Sequence, residues 1–182
     1  MPRVVVTAFG PDRPGIVATV TGVLVRNGAN LADTAMTNLA GQFAMVLVVD
    51  VSAEGTADAL ERTLAEETAA IGLTVAVRPL TEEGDDPPVV GDVGTSWAVS
   101  VHGADQPGIV HRVTTALAER HANVVDLTTR TIGTPEEPVY VMLLDIVLPE
   151  GADVSALQEE LAGLADDLRV EIRVRADDAD IL

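Results

Sequence analysis

Residues 10–33, GPDRPGIVATVTGVLVRNGANLAD, return at 103–126 as GADQPGIVHRVTTALAERHANVVD, offset by 93 positions without a gap. Twelve of the 24 positions are identical, where ordinary composition would give about one or two. The 182-residue chain is therefore a duplication of one unit of about 80 residues. The likeness continues beyond the core match: Asp50 is paired with Asp145, Leu60 and Leu64 with Leu157 and Leu161, and Val75 and Val77 with Val170 and Ile172. This gives a first unit at 1–80, a second at 96–175 and an acidic tail at 176–182. Between the units, TEEGDDPPVVGDVGT at 81–95 holds five acids, two prolines and three glycines without a periodic pattern, and reads as a solvated linker.

Composition excludes several kinds of chemistry. Without cysteine, thiolate nucleophiles, iron–sulfur clusters and the usual zinc modules are ruled out. The net charge is -18, and all 11 cations are arginines scattered singly, so no patch exists to neutralise phosphates and direct nucleic-acid binding is not expected. The longest unbroken apolar run, at 43–49, is seven residues, far short of the roughly 20 that span a bilayer. The start of the chain enters a valine-rich strand without the grammar of a secretory signal. The expected location is cytoplasmic.

Each unit reads as strand, helix, strand, strand, helix, strand. Residues 4–9 are rich in β-branched side chains, and Pro14 suits the first turn of a helix. Ile16, Val17, Val20, Val23 and Leu24 carry the helical period, and Gly28 stops it. A strand at 30–39 turns at Ala40 and Gly41 into 43–51. A second helix is striped by Ala57, Leu60, Leu64 and Ile71, and 73–77 closes the unit. In the second unit the same six elements fall at 97–101, 107–120, 123–132, 139–147, 154–164 and 168–174. Right-handed crossovers around a central hairpin predict an α+β fold: two ferredoxin-like βαββαβ units, each a four-stranded antiparallel sheet with two helices on one face. Strand 43–51 is apolar on both faces, Phe43, Met45, Leu47, Val49 and Val51 on one and Ala44, Val46 and Val48 on the other. Cover from the other unit or from another chain is expected there.

The informative motif is the loop into the first helix, DRPGIV at 12–17 and DQPGIV at 105–110. A helix N-terminus has unpaired N–H groups and about half a positive charge, which favours a carboxylate. Gly15 and Gly108 let a ligand come close. Asn30 and Asn123 follow 18 residues after the loop aspartates and open the second strand, which is expected to start beside the loop. An amide there offers both a donor and an acceptor to an amino acid.

The βαββαβ order, the DRPG loop and Asn30 after a Gly-Ala step together resemble the ACT domain, a small regulatory module that binds amino acids. The paired arrangement, with no catalytic or DNA-binding domain left over, resembles the glycine cleavage system transcriptional repressor group. The first unit is also similar to the ACT domain of formyltetrahydrofolate deformylases, whose catalytic domain this sequence lacks. The resemblance implies an amino acid held at an interface between two ACT units. Its contacts would be Gly10, Asp12, Gly15, Ile16 and Asn30 in one copy and Gly103, Asp105, Gly108, Ile109 and Asn123 in the other. The ligand carboxylate would meet the N–H groups around Gly15 and Ile16, its ammonium Asp12 and Asn30. Asp12 and Asp105 stand where the amino-acid-binding dehydrogenase branch has Asn, which suits an ammonium and repels a carboxylate. Unit 2 departs further, with Gln106 for Arg13 and His121 for Gly28, so the first unit matches better.

The remaining singular residues carry little chemistry. His111 and His121 are ten residues apart, about 15 Å along a helix, and cannot share an ion. His102 sits next to the loop and could pair with Asp105. No metal and no cofactor is expected. Trp97 and Tyr140 read as core or interface anchors, and Ser52, Ser96, Ser100 and Ser155 lack a catalytic context. The expectation is a non-enzymatic amino-acid-sensing regulator, a homodimer acting through an unidentified partner protein, with a ligand-free interaction module as the alternative.

Overall fold

The computed structural model describes residues 2–52, 56–80, 94–134 and 136–177. The chain divides into two compact units, Met1–Glu83 and Gly84–Leu182. The first contains β1 (Arg3–Pro11), α1 (Ile16–Arg26), β2 (Asn30–Leu39), β3 (Gln42–Asp50), α2 (Ala57–Thr68), a 3-10 turn (Ala69–Ile71) and β4 (Thr74–Leu80). The second contains β5 (Thr95–Gly103), α3 (Ile109–Glu119), β6 (Asn123–Gly133), β7 (Pro138–Leu148), α4 (Val154–Leu168) and β8 (Val170–Ala176). The sheets run β2-β3-β1-β4 and β6-β7-β5-β8, with antiparallel neighbours throughout. Both units have the expected ferredoxin-like order. Most of the 81–95 linker and of the tail lies outside the described residues.

In each unit the core lies between the sheet and its two helices. Val4, Val6 and Ala8 of β1 and Phe43, Met45, Leu47 and Val49 of β3 close on Ile16, Val20 and Leu24 of α1 and on Leu60 and Leu64 of α2. The second core repeats this with Val99, Val101, Met142, Leu144 and Ile146 against Ile109, Val113, Leu117, Leu157 and Leu161. The face opposite the helices is open at Val46, 45% exposed, and at its counterpart Leu143, 50% exposed. Every residue of the edge strand β2 is exposed, Met36 and Leu39 included.

The two copies keep their 93-residue offset as far as the central hairpin. Ala40 (φ 51) and Gly41 (φ 74) form the two-residue turn between Leu39 and Gln42, a shape that needs positive φ at both positions. In the second unit Ile132 pairs with Val139 and Gly133 with Pro138, so the same connection holds four more residues, and the offset beyond it is 97. Two matches made from sequence alone therefore shift. Val5 pairs with Val48 and Ala98 with Asp145, so Asp145 answers Val48 and not Asp50. Val6 pairs with Val77 and Val99 with Val174, so Val75 and Val77 answer Ile172 and Val174.

Helix ends also differ from expectation. α1 starts at Ile16, two residues after Pro14. The first helix of each unit stops identically: Gly28 (φ 65) and His121 (φ 56) are both left-handed, and Ala29 and Ala122 donate to Leu24 and Leu117. α4 runs on to Leu168 where the sequence suggested a strand. Leu168 alternates with Val170, Ile172 and Val174, but it also continues the helical stripe of Leu157 and Leu161, and burial against the core decides for the helix.

Candidate functional site

Pro14 and Pro107 lead into two glycines that act as the N-caps of α1 and α3: Gly15 at φ 92, ψ -3 and Gly108 at φ 93, ψ -2. Other L residues are strained in that region. No side chain caps either helix. By contrast, α2 is capped by the Thr56 hydroxyl, which accepts from the Ala59 N–H at 3.2 Å, and α4 by the Asp153 carboxylate, which accepts from the Ala156 N–H at 3.0 Å. A Cβ built on Gly15 or Gly108 would meet open space. The first helix of each unit thus presents an N-terminus with a positive dipole end that is open to an incoming group.

The other loop glycines answer to packing. A Cβ on Gly10 would lie 2.6 Å from the Gly72 carbonyl oxygen, and one on Gly103 would lie 2.7 Å from Cγ1 of Val170. Both positions hold the end of the first strand against the turn that opens the last one.

The asparagines are at the other end of the sheet. Asn30 shares a rung with Asp50 and Arg3, whereas the rung at the loop is Asn38, Phe43 and Gly10. Eight residues of strand, about 25 Å, lie between Asn30 and Asn38. The expectation that the second strand starts beside the loop is overturned, because α1 carries the chain back to the end where β1 began. Asn123 lies likewise, on the rung with Val147 and Ser96. Within one unit the structure brings together Gly10, Asp12, Gly15 and Ile16, or Gly103, Asp105, Gly108 and Ile109, without Asn30 or Asn123.

Two residues missed from the sequence take their place. Asn38 donates from Nδ2 to the Asp12 carboxylate at 2.5 Å, and the Asp12 N–H donates to the Gly41 carbonyl at 2.9 Å, so this loop is tied to the β2–β3 hairpin. In the second unit Asp105, Gln106, Gly108, Ile109, His111 and Tyr140 line a cavity of about 420 Å³. Gln106 donates to the Leu168 carbonyl and anchors that loop to the end of α4. Tyr140 takes the place of Phe43, paired with Gly103 as Phe43 is with Gly10. Burial, and secondarily the Asp105 carboxylate, push its phenol pKa above the ordinary value. Trp97 packs at the margin of the second core and donates from Nε1 to the Thr95 hydroxyl at 2.9 Å. Among the described residues no group of three or more His, Asp or Glu side chains is placed to hold a metal ion.

Family models of the ACT domain match residues 2–78 and 97–166. The chain belongs to the ACT domain family. It is a tandem ACT protein, related along most of its length to the glycine cleavage system transcriptional repressor of Escherichia coli, with 28% identity over 169 residues, 92% of this chain and 86% of that protein. A UPF0237 protein of Methanopyrus kandleri is 42% identical over 85 residues, 47% of this chain and 91% of that one. A crystal structure of an unknown protein from Galdieria sulphuraria superimposes with a TM-score of 0.82 at 25% identity, covering 97% of this chain and 98% of the other. No described helix of the tandem ACT chain is long and apolar enough to cross a membrane.

Proposed function

We propose that this tandem ACT chain is a non-enzymatic regulator that senses a small amino acid and passes its occupancy to a partner protein. The observation that carries the reading is the contrast in capping. The second helix of each unit is closed by its own side chain, while the first begins at a bare, left-handed glycine beside an aspartate. A bound amino acid would set its carboxylate on the open N–H groups near Ile16 or Ile109 and its ammonium near Asp12 or Asp105. Asn30 and Asn123 join such a site only where the second strand of another unit is brought to the loop, as at an interface between two ACT units. The relation to a protein named as a transcriptional repressor supports a regulatory role. A chain of net charge -18 would exert it in the cytoplasm by holding another protein, not by binding DNA.

A thermal-shift panel of the standard amino acids on the purified chain tests this. A ligand at 100 times its dissociation constant adds about 2.7 kcal/mol of stability, and no shift from any amino acid overturns the sensing reading. The second reading, a ligand-free interaction module, is favoured by the exposed edge strand β2 and by the open apolar face at Phe9 and Val46. It takes over if the panel is silent and light scattering finds a homodimer. Specific retardation of duplex DNA by the pure chain would sink the protein-partner route.

A further inference from the structure

We propose that the helix-free face of the first unit is a homotypic docking surface, covered by the same face of a second copy of this chain across a two-fold axis that runs along the strands. The pairing does not depend on whether an amino acid binds. Because Phe43, Met45, Leu47 and Val49 point into the core, the alternate residues of each strand form the opposite face. The register sets them in rungs across β2, β3, β1 and β4. The first is Asn30, Asp50, Arg3 and Leu80, and the second Asp33, Val48, Val5 and Arg78. The third is Ala35, Val46, Thr7 and Ala76, and the fourth Thr37, Ala44, Phe9 and Thr74. Charge is confined to the first two rungs. The third holds nothing longer than valine, so the middle of the face is flat, apolar and exposed at Val46.

The arrangement of charge and size identifies the occupant. A two-fold interface must be complementary to itself. An axis along the strands, passing between β3 and β1, lays β4 of one copy over β2 of the other, so each rung meets its own reverse. Arg78 then faces Asp33 of the second copy, Arg3 faces Asp50, and the Phe9 ring faces the small Ala44, each contact occurring twice. Face-to-face sheets keep their strands within about 30° of each other, an offset that a long arginine side chain spans. Arg78 forms no ion pair among the described residues, and the Asp33 carboxylate accepts only from the Thr34 N–H. Three strand spacings, about 14 Å, keep these two apart within one sheet. An axis across the strands would instead set Arg78 over Thr74 and Asp33 over Thr37, leaving both charges unmatched. The second unit fails the same test. Its rung of Asp126, Asp145, Ala98 and Arg175, turned onto itself, matches Arg175 with Asp126 but lays Asp145 on Ala98. That carboxylate, where the first unit has Val48, would be buried without a cation.

The test is sedimentation velocity on the full chain without ligand, with circular dichroism to check that each variant folds. The parent should be a dimer at tens of micromolar. Val46→Arg puts a cation at the centre of the face and should give a monomer, whereas Leu143→Arg, at the matching position of the second unit, should leave the dimer intact. Asp33→Arg and Arg78→Asp should each raise the dissociation constant at least about tenfold, since each sets like charges opposite one another at two symmetric points. The double variant should recover the parent's affinity, because the exchanged charges meet again across the axis. A monomeric parent overturns the proposal and leaves the face to a protein of another kind. A dimer that survives Val46→Arg overturns it as well, and one broken by Leu143→Arg alone moves the contact to the second unit. If Val46→Arg does not fold, the charge exchange at the exposed edge strands decides by itself. A double variant that binds no more tightly than the single ones overturns the pairing of Arg78 with Asp33.

Discussion

The β1–α1 loop and the β5–α3 loop have the same backbone and different neighbours. Gly15 and Gly108 agree within a degree in φ and in ψ, and both helices start uncapped. Yet the aspartate of one loop is held by Asn38, while that of the other lines a cavity together with Tyr140. After a duplication, the dihedral demand of a glycine keeps the main chain fixed. The chemistry diverges through side chains on the central hairpin, outside the loop itself. Identity within the motif therefore measures shared shape and says little about what surrounds the loop in each copy.

Substitutions at matched positions test how far the units are equivalent. The largest effect should come from the cores: Leu64→Ala and Leu161→Ala each remove a side chain at most 1% exposed, costing about 2–5 kcal/mol. Urea denaturation should find the two losses alike, and a cost below 1 kcal/mol for either would show that its core is not packed as described. Next come the strand-end glycines. Gly10→Ala drives a Cβ to 2.6 Å from a backbone carbonyl, and Gly103→Ala drives one to 2.7 Å from the Val170 side chain and 3.0 Å from its Cα. Each should cost about 1–3 kcal/mol, Gly10→Ala the more because a carbonyl oxygen yields less than a methyl group. The reverse order in the same denaturation assay would contradict this contact geometry.

Smaller still, Thr56→Ala and Asp153→Ala should each cost about 1 kcal/mol by uncapping α2 and α4. A neutral result for both would remove the contrast with α1 and α3. The smallest effect concerns alkaline pH. Tyr140 has its pKa raised above 10.0 in the folded chain, so its neutral form is favoured by folding. That contribution is complete below the unfolded value and is lost as pH rises through the folded one. Stability measured above pH 10 should fall less steeply in Tyr140→Phe than in the parent, and parallel profiles would refute the shift.

The duplication, the element order and the fold were legible because the repeat and the two hydrophobic periods are local properties of the chain. The loop was legible for the same reason, since Pro14 and Gly15 announce a helix start by themselves. Asn30 was misplaced because its position depends on direction: β1 and β2 both run antiparallel to β3 and hence parallel to each other, so β2 must begin where β1 begins. Tyr140 was missed as a cavity residue for a different reason. Its partnership with Gly103 follows only once four extra residues are assigned to the hairpin tip, and a 97-residue offset is hidden behind the ungapped 93.

Trp97, packed at the margin of the second core with its indole tied to Thr95, is the only tryptophan, and the only tyrosine belongs to the same unit. The first unit has no aromatic residues but Phe9 and Phe43. Fluorescence excited at the red edge of absorption thus comes from the second half alone, whereas far-ultraviolet circular dichroism sums both. A melting curve followed by emission reads one copy, and its displacement from the dichroism curve gives the behaviour of its optically silent twin, without cutting the chain.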